Sequence, residues 1–404
     1  MKNILIISFD TINNEEYPAS YSIASLLASL KSDTSEKMNI VHWPFNTLEN
    51  DFEQKLYNKL KLNNINQFER IAISVFVWSE LIVRKLLESE YFINYRGIII
   101  LGGRQIIGEE NNLINDYPRC KIFVIGYGEN IIKDAISMNI DKPKFLYGNS
   151  KDLNFPSPYL TNELSVLENQ KMVRMETKRG CPYSCDFCAH RDLTDNKVYD
   201  FPYDRIKSEL DLFKQKRVEK INIIDPIFNF GNEYLNILDY IYNNKINSKI
   251  SLQARFEQIK GENGRRFIDM CGKLNIVLEF GVQSLIEKEY NSIGRENDIE
   301  NITRIVKDLN KKGIDYEISI IYGLPEQSPK TFQETIDRLA SMECKSIKAY
   351  PLMLLKGTKL YKNKEKWNLK EKIFENIPLV IESNSFSEKE WEKMKKIAEQ
   401  FREK

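Results

Sequence analysis

Short apolar segments alternate with amphipathic helical segments along most of this 404-residue chain, and this alternation constrains its fold more than any other feature. Before residue 141 the apolar segments read NILIISF, NIVHWPF, RIAISVFVW, YRGIIILGG and RCKIFVIGYG. The segments between them, such as NDFEQKLYNKLK and SELIVRKLLESEYF, carry apolar residues at helical spacing. This α/β alternation predicts a doubly wound, Rossmann-like parallel sheet for residues 1–140. Such sheets bind ligands at the carboxyl ends of their strands.

A second alternation of strands and helices follows a polar stretch. Residues 141–170, extended by Pro156 and Pro158, predict a linker. Residues 171–361 then carry strand-like segments that read MVRMETK, KINIID, ISLQAR, IVLEFGVQ, YEISIIYG and SIKAYPLM. Six consecutive units of this kind predict a partial (βα)6 barrel. Residues 362–404 predict a helical tail, in which Ser387 and Glu390 form a capping box.

The charge balance and the N-terminus exclude several classes of partner. Lysine and arginine (59 residues) nearly balance aspartate and glutamate (58), which leaves a formal net charge of +1. This balance provides no global attraction to nucleic acid or to anionic membranes, and we expect neither as a partner.

The apolar run from Ile4 to Phe9 is too short to span a membrane, and Asp10 argues against a signal peptide. We therefore expect a cytoplasmic protein, in which clustered cysteines more often bind metal or act in catalysis than form disulfides.

Three of the six cysteines, Cys181, Cys185 and Cys188, lie within TKRGCPYSCDFCAH, directly after the first strand of the predicted barrel. Two kinds of metal site fit this spacing. With His190, the three thiols would close a tetrahedral zinc site. Alternatively, three thiolates would hold three irons of a 4Fe–4S cube and leave the fourth iron open to a small molecule. Barrel enzymes carry out their chemistry at the carboxyl ends of strands, so the position of the loop favours the second interpretation.

The same spacing, with the aromatic Phe187 before the last cysteine, resembles the signature of the radical S-adenosylmethionine (SAM) superfamily. The resemblance implies one 4Fe–4S cluster, held by Cys181, Cys185 and Cys188, whose open iron binds the amino and carboxylate groups of SAM. It also implies reductive cleavage of SAM to methionine and a 5′-deoxyadenosyl radical, which abstracts hydrogen from a substrate. An electron donor such as flavodoxin or ferredoxin would then be a partner. The protein itself would position the cofactor and exclude quenchers.

Looser motifs of this superfamily follow behind the cysteines in the expected order, namely INIIDPIFNF, LQARFE, EFGVQS, SIGRENDIEN and ISIIYGLPEQS. With the aromatic residue of the cysteine loop, the resemblance assigns a SAM-binding role to Phe187, Asp225, Gln253, Arg255, Glu279, Gln283, Ser284, Arg295 and Tyr322. Arg295 would grip the SAM carboxylate with two hydrogen bonds, as a guanidinium can and an ammonium cannot. Considered alone, Arg295 or Asp225 fits a surface ion pair or a helix cap equally well. No residue identifies itself as a catalytic acid, base or hydrogen donor.

The segments YPASYSIASLLASL, GIIILGGRQIIGEE and VIGYGEN, with PSPYL in the linker, resemble the amino-terminal region of class B radical SAM proteins. Those proteins carry a cobalamin-binding, Rossmann-like domain before the barrel. Gly102 and Gly103 would let the backbone approach a ligand closely. The two histidines of the chain, His42 and His190, do not lie in the Asp-x-His-x-x-Gly loop that binds cobalt in many cobalamin domains. Two alternatives therefore stay open: cobalamin without a lower ligand from the protein, or no cobalamin.

These features together predict a class B radical SAM enzyme that modifies a natural-product or peptide substrate. With cobalamin bound, methylation of an unactivated carbon is expected. Without cobalamin, a radical rearrangement, epimerisation, cyclisation or desaturation is expected. The alternative from another functional class is a non-enzymatic, zinc-stabilised binding protein. Cys120, Cys271 and Cys344 are far apart in the sequence and are predicted to be buried thiols, so no auxiliary cluster is expected.

Overall fold

A computed structural model describes residues 2–13, 15–16, 19–32, 38–189 and 196–401 of the chain. The backbone divides into two compact units, and the division falls chiefly between Leu167 and Glu168. Within the described ranges, no helix combines the length and the apolar character that crossing a membrane requires. His190 lies outside these ranges. The predicted zinc site, in which His190 would join the three cysteines, therefore involves a residue that is not described.

The first unit contains one six-stranded parallel sheet. Its strands are β1 (Lys2–Asp10), β2 (Met38–Asn46), β3 (Arg70–Ser74), β4 (Ile98–Gly102), β5 (Ile122–Ile125) and β6 (Lys144–Tyr147). Its helices are α1 (Tyr21–Ser32), α2 (Phe52–Leu62), α3 (Glu80–Glu88), α4 (Glu90–Ile93), α5 (Glu110–Asp116) and α6 (Ile132–Ser137). The strand order is β2–β1–β3–β4–β5–β6, so the order reverses between β1 and β3.

Both faces of this sheet are buried, because successive side chains of a strand point to opposite faces. In β1, Leu5 and Ile7 belong to one apolar core, whereas Ile4 and Ile6 belong to a second core on the other face. The apolar runs of the sequence are therefore strands covered on two sides by helices. The predicted Rossmann-like, doubly wound fold is confirmed.

Among the described residues, the second unit contains ten strands, six of which form one large sheet. Its strands are β7 (Met172–Met175), β8 (Lys178–Gly180), β9 (Val198–Asp200), β10 (Lys220–Ile223), β11 (Lys249–Ala254), β12 (Ile276–Gln283), β13 (Asp315–Tyr322), β14 (Ile347–Pro351), β15 (Lys370–Phe374) and β16 (Ile377–Glu382). Its helices are α7 (Tyr203–Gln215), α8 (Glu233–Asn243), α9 (Gly261–Cys271), α10 (Glu287–Ser292), α11 (Ile299–Lys312), α12 (Pro329–Ser341), α13 (Lys359–Lys362) and α14 (Glu388–Glu399). The large sheet has the parallel order β14–β13–β12–β11–β10–β7, and this open run of six strands confirms the partial barrel.

The two faces of the barrel sheet differ in polarity, as β12 illustrates. Leu278, Phe280 and Val282 are fully buried and face the helices. Glu279 and Gln283, which alternate with them, are half-buried and face the barrel interior. This inner face of the sheet, the barrel wall, presents polar groups to the barrel interior. They are available at the carboxyl ends of the strands, where barrel enzymes carry out their chemistry.

The structure differs from the sequence-based prediction at two places. The segment 141–170, predicted as a linker, contains β6, an edge strand with half-exposed side chains and a short apolar run of only three residues. The tail, predicted as helical, begins with the hairpin β15–β16 before α14. Glu375 and Asn376 form its turn with φ angles of 49° and 70°, and the usual Asn-Gly signal for such a turn is absent from the sequence. The capping box of Ser387 and Glu390 is present at the start of α14.

Candidate active site

The cysteine loop begins at a glycine that the local geometry requires. Gly180 ends β8 with a φ of 89° and pairs with Val198 of β9. A Cβ atom at this position would lie 2.1 Å from the carbonyl oxygen of Lys197, far inside van der Waals contact. Only glycine therefore lets this hairpin close and place Cys181 directly behind it.

The middle of the loop is fixed at Asp186. The Asp186 N–H donates to the carbonyl of Ile293 (2.8 Å), and its carbonyl accepts from the N–H of Leu360 (2.9 Å). Gly294 permits this approach, because a Cβ atom there would lie 2.7 Å from Oδ1 of Asp186. The loop is thus joined to the segment that carries Arg295.

Two arginine side chains converge on Cys185, which is buried. The distance from its Sγ to Nη1 of Arg255 is 3.9 Å, and the distance to Nη1 of Arg295 is 4.0 Å. Burial, followed by the charge of Arg255, lowers the pKa of Arg295, whereas the nearby Cys185 sulfur raises it. The carboxylate of Glu257 offsets one of these two buried positive charges, and the sulfur of Cys185 is the group that both guanidiniums face. The arrangement therefore fits a site in which sulfur carries negative charge.

Each guanidinium is held in one orientation by its remaining donors. Arg255 donates through Nε and Nη2 to the carboxylate of Glu257, at 2.9 and 3.2 Å. Arg295 donates through Nε to Oδ1 of Asn297 (3.0 Å) and through Nη2 to the carbonyl of Gly281. Because the fork is planar, fixing two nitrogens also fixes the third, which points at the sulfur. Sequence reasoning missed Asn297, although it lies two residues after Arg295 within the segment SIGRENDIEN.

Tyr183 connects Arg255 to a second cysteine. The guanidinium of Arg255 lies 4.0 Å from the centroid of the Tyr183 ring. Nε2 of Gln258 donates to the Tyr183 hydroxyl (2.6 Å), and the backbone N–H of Tyr183 donates to the thiol of Cys181. Tyr183 and Gln258 were also missed, although an aromatic residue inside a cysteine loop was an available signal.

The donor set of the loop fits the predicted cluster. Burial raises the pKa of the Cys181 thiol to about 11, and the neighbouring Cys188 and Cys185 add to the rise. A positively charged metal group would offset this cost by stabilising the thiolates. In the part of the chain that is described, no three His, Cys, Asp or Glu side chains are close enough together to hold one metal ion. A 4Fe–4S cube spaces its ligands more widely, because each cysteine binds a different iron.

Asp225, predicted to lie near the SAM amino group, is fully buried and braces the cysteine hairpin. Its Oδ1 accepts from the backbone N–H groups of Thr177 (2.7 Å) and Lys178 (3.2 Å). Its Oδ2 accepts from the Thr177 hydroxyl. Burial raises the pKa of Asp225 to about 7, although the charge of Lys178 and these hydrogen bonds oppose the rise. The structure thus gives the Asp225 carboxylate a task different from the expected one: it fixes the connection between β7 and β8.

We expect Asp225→Ala to lower the free energy of unfolding of the second unit by about 3 kcal/mol, because two buried N–H groups lose their acceptor. Asp225→Asn keeps the shape of the side chain and serves as the matched control.

The folded-state pKa of Asp225 lies above the unfolded value of 3.8. The stability of the wild-type protein should therefore fall relative to Asp225→Asn as pH rises from about 4 to about 7, and then stay level. Urea unfolding of both proteins across this range measures the effect. A difference independent of pH would contradict the raised pKa.

The barrel interior carries more of the predicted residues. Gln253 and Glu279 are direct neighbours in the register of β11 and β12. Gln253 is exposed, and half-buried Glu279 accepts a hydrogen bond from the Ser251 hydroxyl (2.5 Å). Gln283 has a φ of 70° beside a bulge at Gly281. The predicted SAM-binding residues that lie in the cysteine loop, beside it or on this wall are Phe187, Gln253, Arg255, Glu279, Gln283 and Arg295.

Two other predicted residues are packed below the barrel mouth. The Ser284 hydroxyl is fully buried and donates to Glu289 (2.7 Å). The Tyr322 ring is also buried and packs against Phe332 and Trp391, with centroids 5.9 and 5.7 Å away. A motif predicts that a strand end lies near the site, but it does not determine which face of that strand end a side chain occupies. The side chains of Ser284 and Tyr322 support the loops at the site and do not line it.

The first unit has a candidate ligand surface of its own, where the strand order reverses between β1 and β3. The half-buried rings of Phe76 and Trp78 follow β3 and stack with centroids 4.8 Å apart and planes 5° apart. Nε1 of Trp78 donates to the carbonyl of Phe9 in β1 (2.8 Å). After β4, Gly103 has a φ of 106°, and a Cβ atom there would lie 2.6 Å from the carbonyl of Val75. Aromatic faces next to glycine backbone fit a large planar group such as a corrin ring.

His42 lies in the middle of β2 rather than at the carboxyl end of a strand. Its Nε2 is 2.9 Å from the Ser8 hydroxyl, whose hydrogen is donated to Asp10 (2.8 Å). Nε2 of His42 must therefore carry the hydrogen of this contact. Burial, with smaller effects of nearby lysines, lowers the pKa of His42 to about 4. His42 is therefore not placed among the described strand ends of this sheet, where a ligand of cobalt would be expected, and both alternatives for cobalamin stay open.

The family model of the Radical SAM superfamily matches residues 175–339 of this chain. The matched range begins at the last residue of β7, contains the cysteine loop, and ends within α12. The two guanidiniums at Cys185 and the polar wall of β11 and β12 lie inside it.

Two curated relatives are methyltransferases. The cobalamin-dependent radical SAM methyltransferase TokK of Streptomyces tokunonensis is 23% identical over an alignment of 308 residues, and the match covers 67% of this chain and 44% of that protein. The 2-(S-pantetheinyl)-carbapenam-3-carboxylate methyltransferase of Streptantibioticus cattleyicolor is 22% identical over an alignment of 383 residues, and the match covers 80% of this chain and 54% of that protein. The chain spans only about half the length of these relatives.

A solved structure with the same fold is that of the radical SAM methyltransferase TsrM of Kitasatospora setae with cobalamin and a 4Fe–4S cluster bound. The TM-score is 0.69 at 12% sequence identity, and the match covers 98% of this chain and 85% of TsrM. At this identity, the similarity establishes the shared arrangement of a parallel-sheet unit followed by a partial barrel.

Proposed function

We propose that this chain is a radical SAM enzyme of the class B type, in which a Rossmann-like unit precedes the barrel, and that it cleaves S-adenosylmethionine reductively and abstracts hydrogen from a substrate. When bound, the 4Fe–4S cluster would supply the electron that yields methionine and a 5′-deoxyadenosyl radical. The substrate is a natural product or a peptide of small size. We place the protein in the cytoplasm, where a donor such as flavodoxin or ferredoxin is available.

Different residues of the chain would bind the cluster and contact SAM or the substrate. Cys181, Cys185 and Cys188 would hold three irons, and the loop places them at the carboxyl end of the barrel. Arg295 would offer N–H groups to the SAM carboxylate, since its guanidinium is fixed beside the cysteine loop. Gln253 lies on the barrel wall, where the ribose or the substrate would contact it. The remaining role of the protein is to keep water away from the radical.

One observation carries this proposal: two oriented guanidiniums meet a buried thiol of a three-cysteine loop. A surface ion pair would leave both arginines solvated, and a helix cap would not bring them to sulfur. Buried cations without an adjacent carboxylate for each one are costly, so the site is built for additional negative charge. Thiolates, a cluster and the carboxylate of SAM supply that charge together.

We further propose that the first unit binds cobalamin and that the product is a methylated carbon. Support comes from the stacked Phe76 and Trp78 at the point where the strand order reverses, and from the methyltransferase relatives. The expected reaction without cobalamin is a radical rearrangement, epimerisation, cyclisation or desaturation. Absorption spectra and mass spectrometry of the protein after incubation with cobalamin and gel filtration distinguish the two cases.

Anaerobic reconstitution with iron and sulfide tests the central claim. We expect about four irons per chain and, after addition of SAM and dithionite, 5′-deoxyadenosine well above the amount in a heat-denatured control. Liquid chromatography with mass spectrometry measures the nucleoside. A preparation with one zinc per chain and no iron would support the zinc-stabilised binding protein instead. A loaded cluster that yields no 5′-deoxyadenosine would remove the enzymatic proposal.

A further inference from the structure

We propose that Arg255 is a positioning residue that sets the reduction potential of the cluster through an N–H···S hydrogen bond to Cys185. The inference rests on the proposed function, because it presupposes a cluster on the cysteine loop. It gives Arg255 a role that is independent of SAM, although the sequence resemblance assigns this residue to SAM binding.

The side chain of Arg255 is held on three sides. Two of its nitrogens are bound by Glu257, at 2.9 and 3.2 Å. Its Cζ atom lies 4.0 Å from the ring centroid of Tyr183. The third nitrogen, Nη1, is then directed at Sγ of Cys185, 3.9 Å away. The side chain is only 12% exposed, so water competes little for this donor.

The same residues also connect the contact to the rest of the loop. Tyr183 donates its backbone N–H to Cys181, and its hydroxyl accepts from Gln258, three residues after Arg255. Arg255 and Gln258, which follow β11, therefore contact Cys185 and Tyr183 of the cysteine loop, and Tyr183 in turn contacts Cys181. Arg255 cannot move without losing its contact with Tyr183. The position of Arg255 is therefore coupled to the conformation of the cysteine loop.

The physical effect follows from charge. Reduction transfers one electron from an external low-potential donor, such as dithionite, to the cluster, which then carries one additional negative charge. A guanidinium with an N–H group on a cluster ligand stabilises the reduced state more than the oxidised state, and hydrogen bonds to sulfur are known determinants of cluster potential. A buried position strengthens this interaction. Arg255 should therefore raise the potential, which makes the cluster easier to reduce.

Redox titration monitored by electron paramagnetic resonance tests the inference with SAM omitted. For Arg255→Gln, we expect the ratio of reduced to oxidised cluster at a fixed potential to fall about tenfold, which is a shift of about 59 mV to more negative potential. Arg255→Lys keeps the charge but loses the planar fork, so its shift should be smaller and in the same direction. Arg266→Gln is the matched control, since Arg266 of α9 forms a half-exposed ion pair with Asp239 of α8.

The outcomes separate this inference from the function on which it rests. A wild-type protein that assembles no cluster would overturn both. If the wild-type protein assembles a cluster and fully loaded Arg255→Gln has the wild-type reduction potential, the inference alone is overturned. A residue that only binds SAM would leave the potential measured without SAM unaffected. If Arg255→Gln loads no iron, Arg255→Lys decides: a more negative potential supports the inference, and the wild-type value refutes it.

Discussion

Cys185→Ala is expected to abolish cluster assembly and, with it, the formation of 5′-deoxyadenosine. A cube held at three corners would keep two ligands, and the lost ligand is the buried one that both guanidiniums contact. Without the thiolate, Arg255 and Arg295 also lose the anion that separates their charges. Iron should fall from about four per chain to below one, and the nucleoside to the level of a control without protein. Colorimetric iron analysis and mass spectrometry measure both quantities.

Cys271→Ala is the matched control for the loss of a buried thiol. Cys271 is 2% exposed and lies at the end of α9, away from the cysteine loop. Removing its sulfur leaves a small cavity, with an expected cost of about 1 kcal/mol and full iron loading. If Cys271→Ala loses iron to the same extent as Cys185→Ala, the loss reports general destabilisation and not ligation. Four irons in the Cys185→Ala protein would contradict the assignment of this ligand.

Gly180→Ala should also remove most of the cluster, although it changes no ligand. The substituted residue would have to adopt a φ of 89°, and its Cβ would meet the carbonyl oxygen of Lys197 at 2.1 Å. Backbone strain of this kind costs about 1–3 kcal/mol, and the overlap adds to it unless the β8–β9 hairpin opens. We expect the second unit to lose about 3 kcal/mol or more, and iron loading to fall at least several-fold. Denaturant unfolding and iron analysis measure the two effects.

Gly231→Ala separates the strain from the overlap. Gly231 has a φ of 81°, close to that of Gly180, but no heavy atom lies within 4 Å of its Cβ position. The strain alone should cost about 1 kcal/mol and leave the iron content unchanged. Equal losses of stability and of iron in the two variants would show that the approach of Lys197 to Gly180 is unimportant.

The regular parts of the fold could be predicted because their residues repeat a simple pattern. Each apolar run before residue 141 became a strand of the first sheet, and the six runs after it became the barrel strands in their chain order. The missed elements differ in this respect, because β6 has only three successive apolar residues whereas β16 contains a longer run in IPLVIE. The edge strand β6 is half-exposed, and the hairpin β15–β16 turns at Glu375 and Asn376 without glycine. A strand that is only partly covered needs fewer apolar side chains, so its sequence resembles a loop.

For this protein, the sequence alone determined the three-cysteine loop, its place after the first barrel strand and the order of the strands behind it, because these depend on local spacing. Only the tertiary structure decided which motif residues meet the loop. Arg255 and Arg295 reach Cys185 from segments 70 and 110 residues away. Asp225, Ser284 and Tyr322, from equally good motifs, are buried in the framework. The direction of a side chain at a strand end depends on twist, bulges and the packing of distant segments, none of which spacing along the chain encodes.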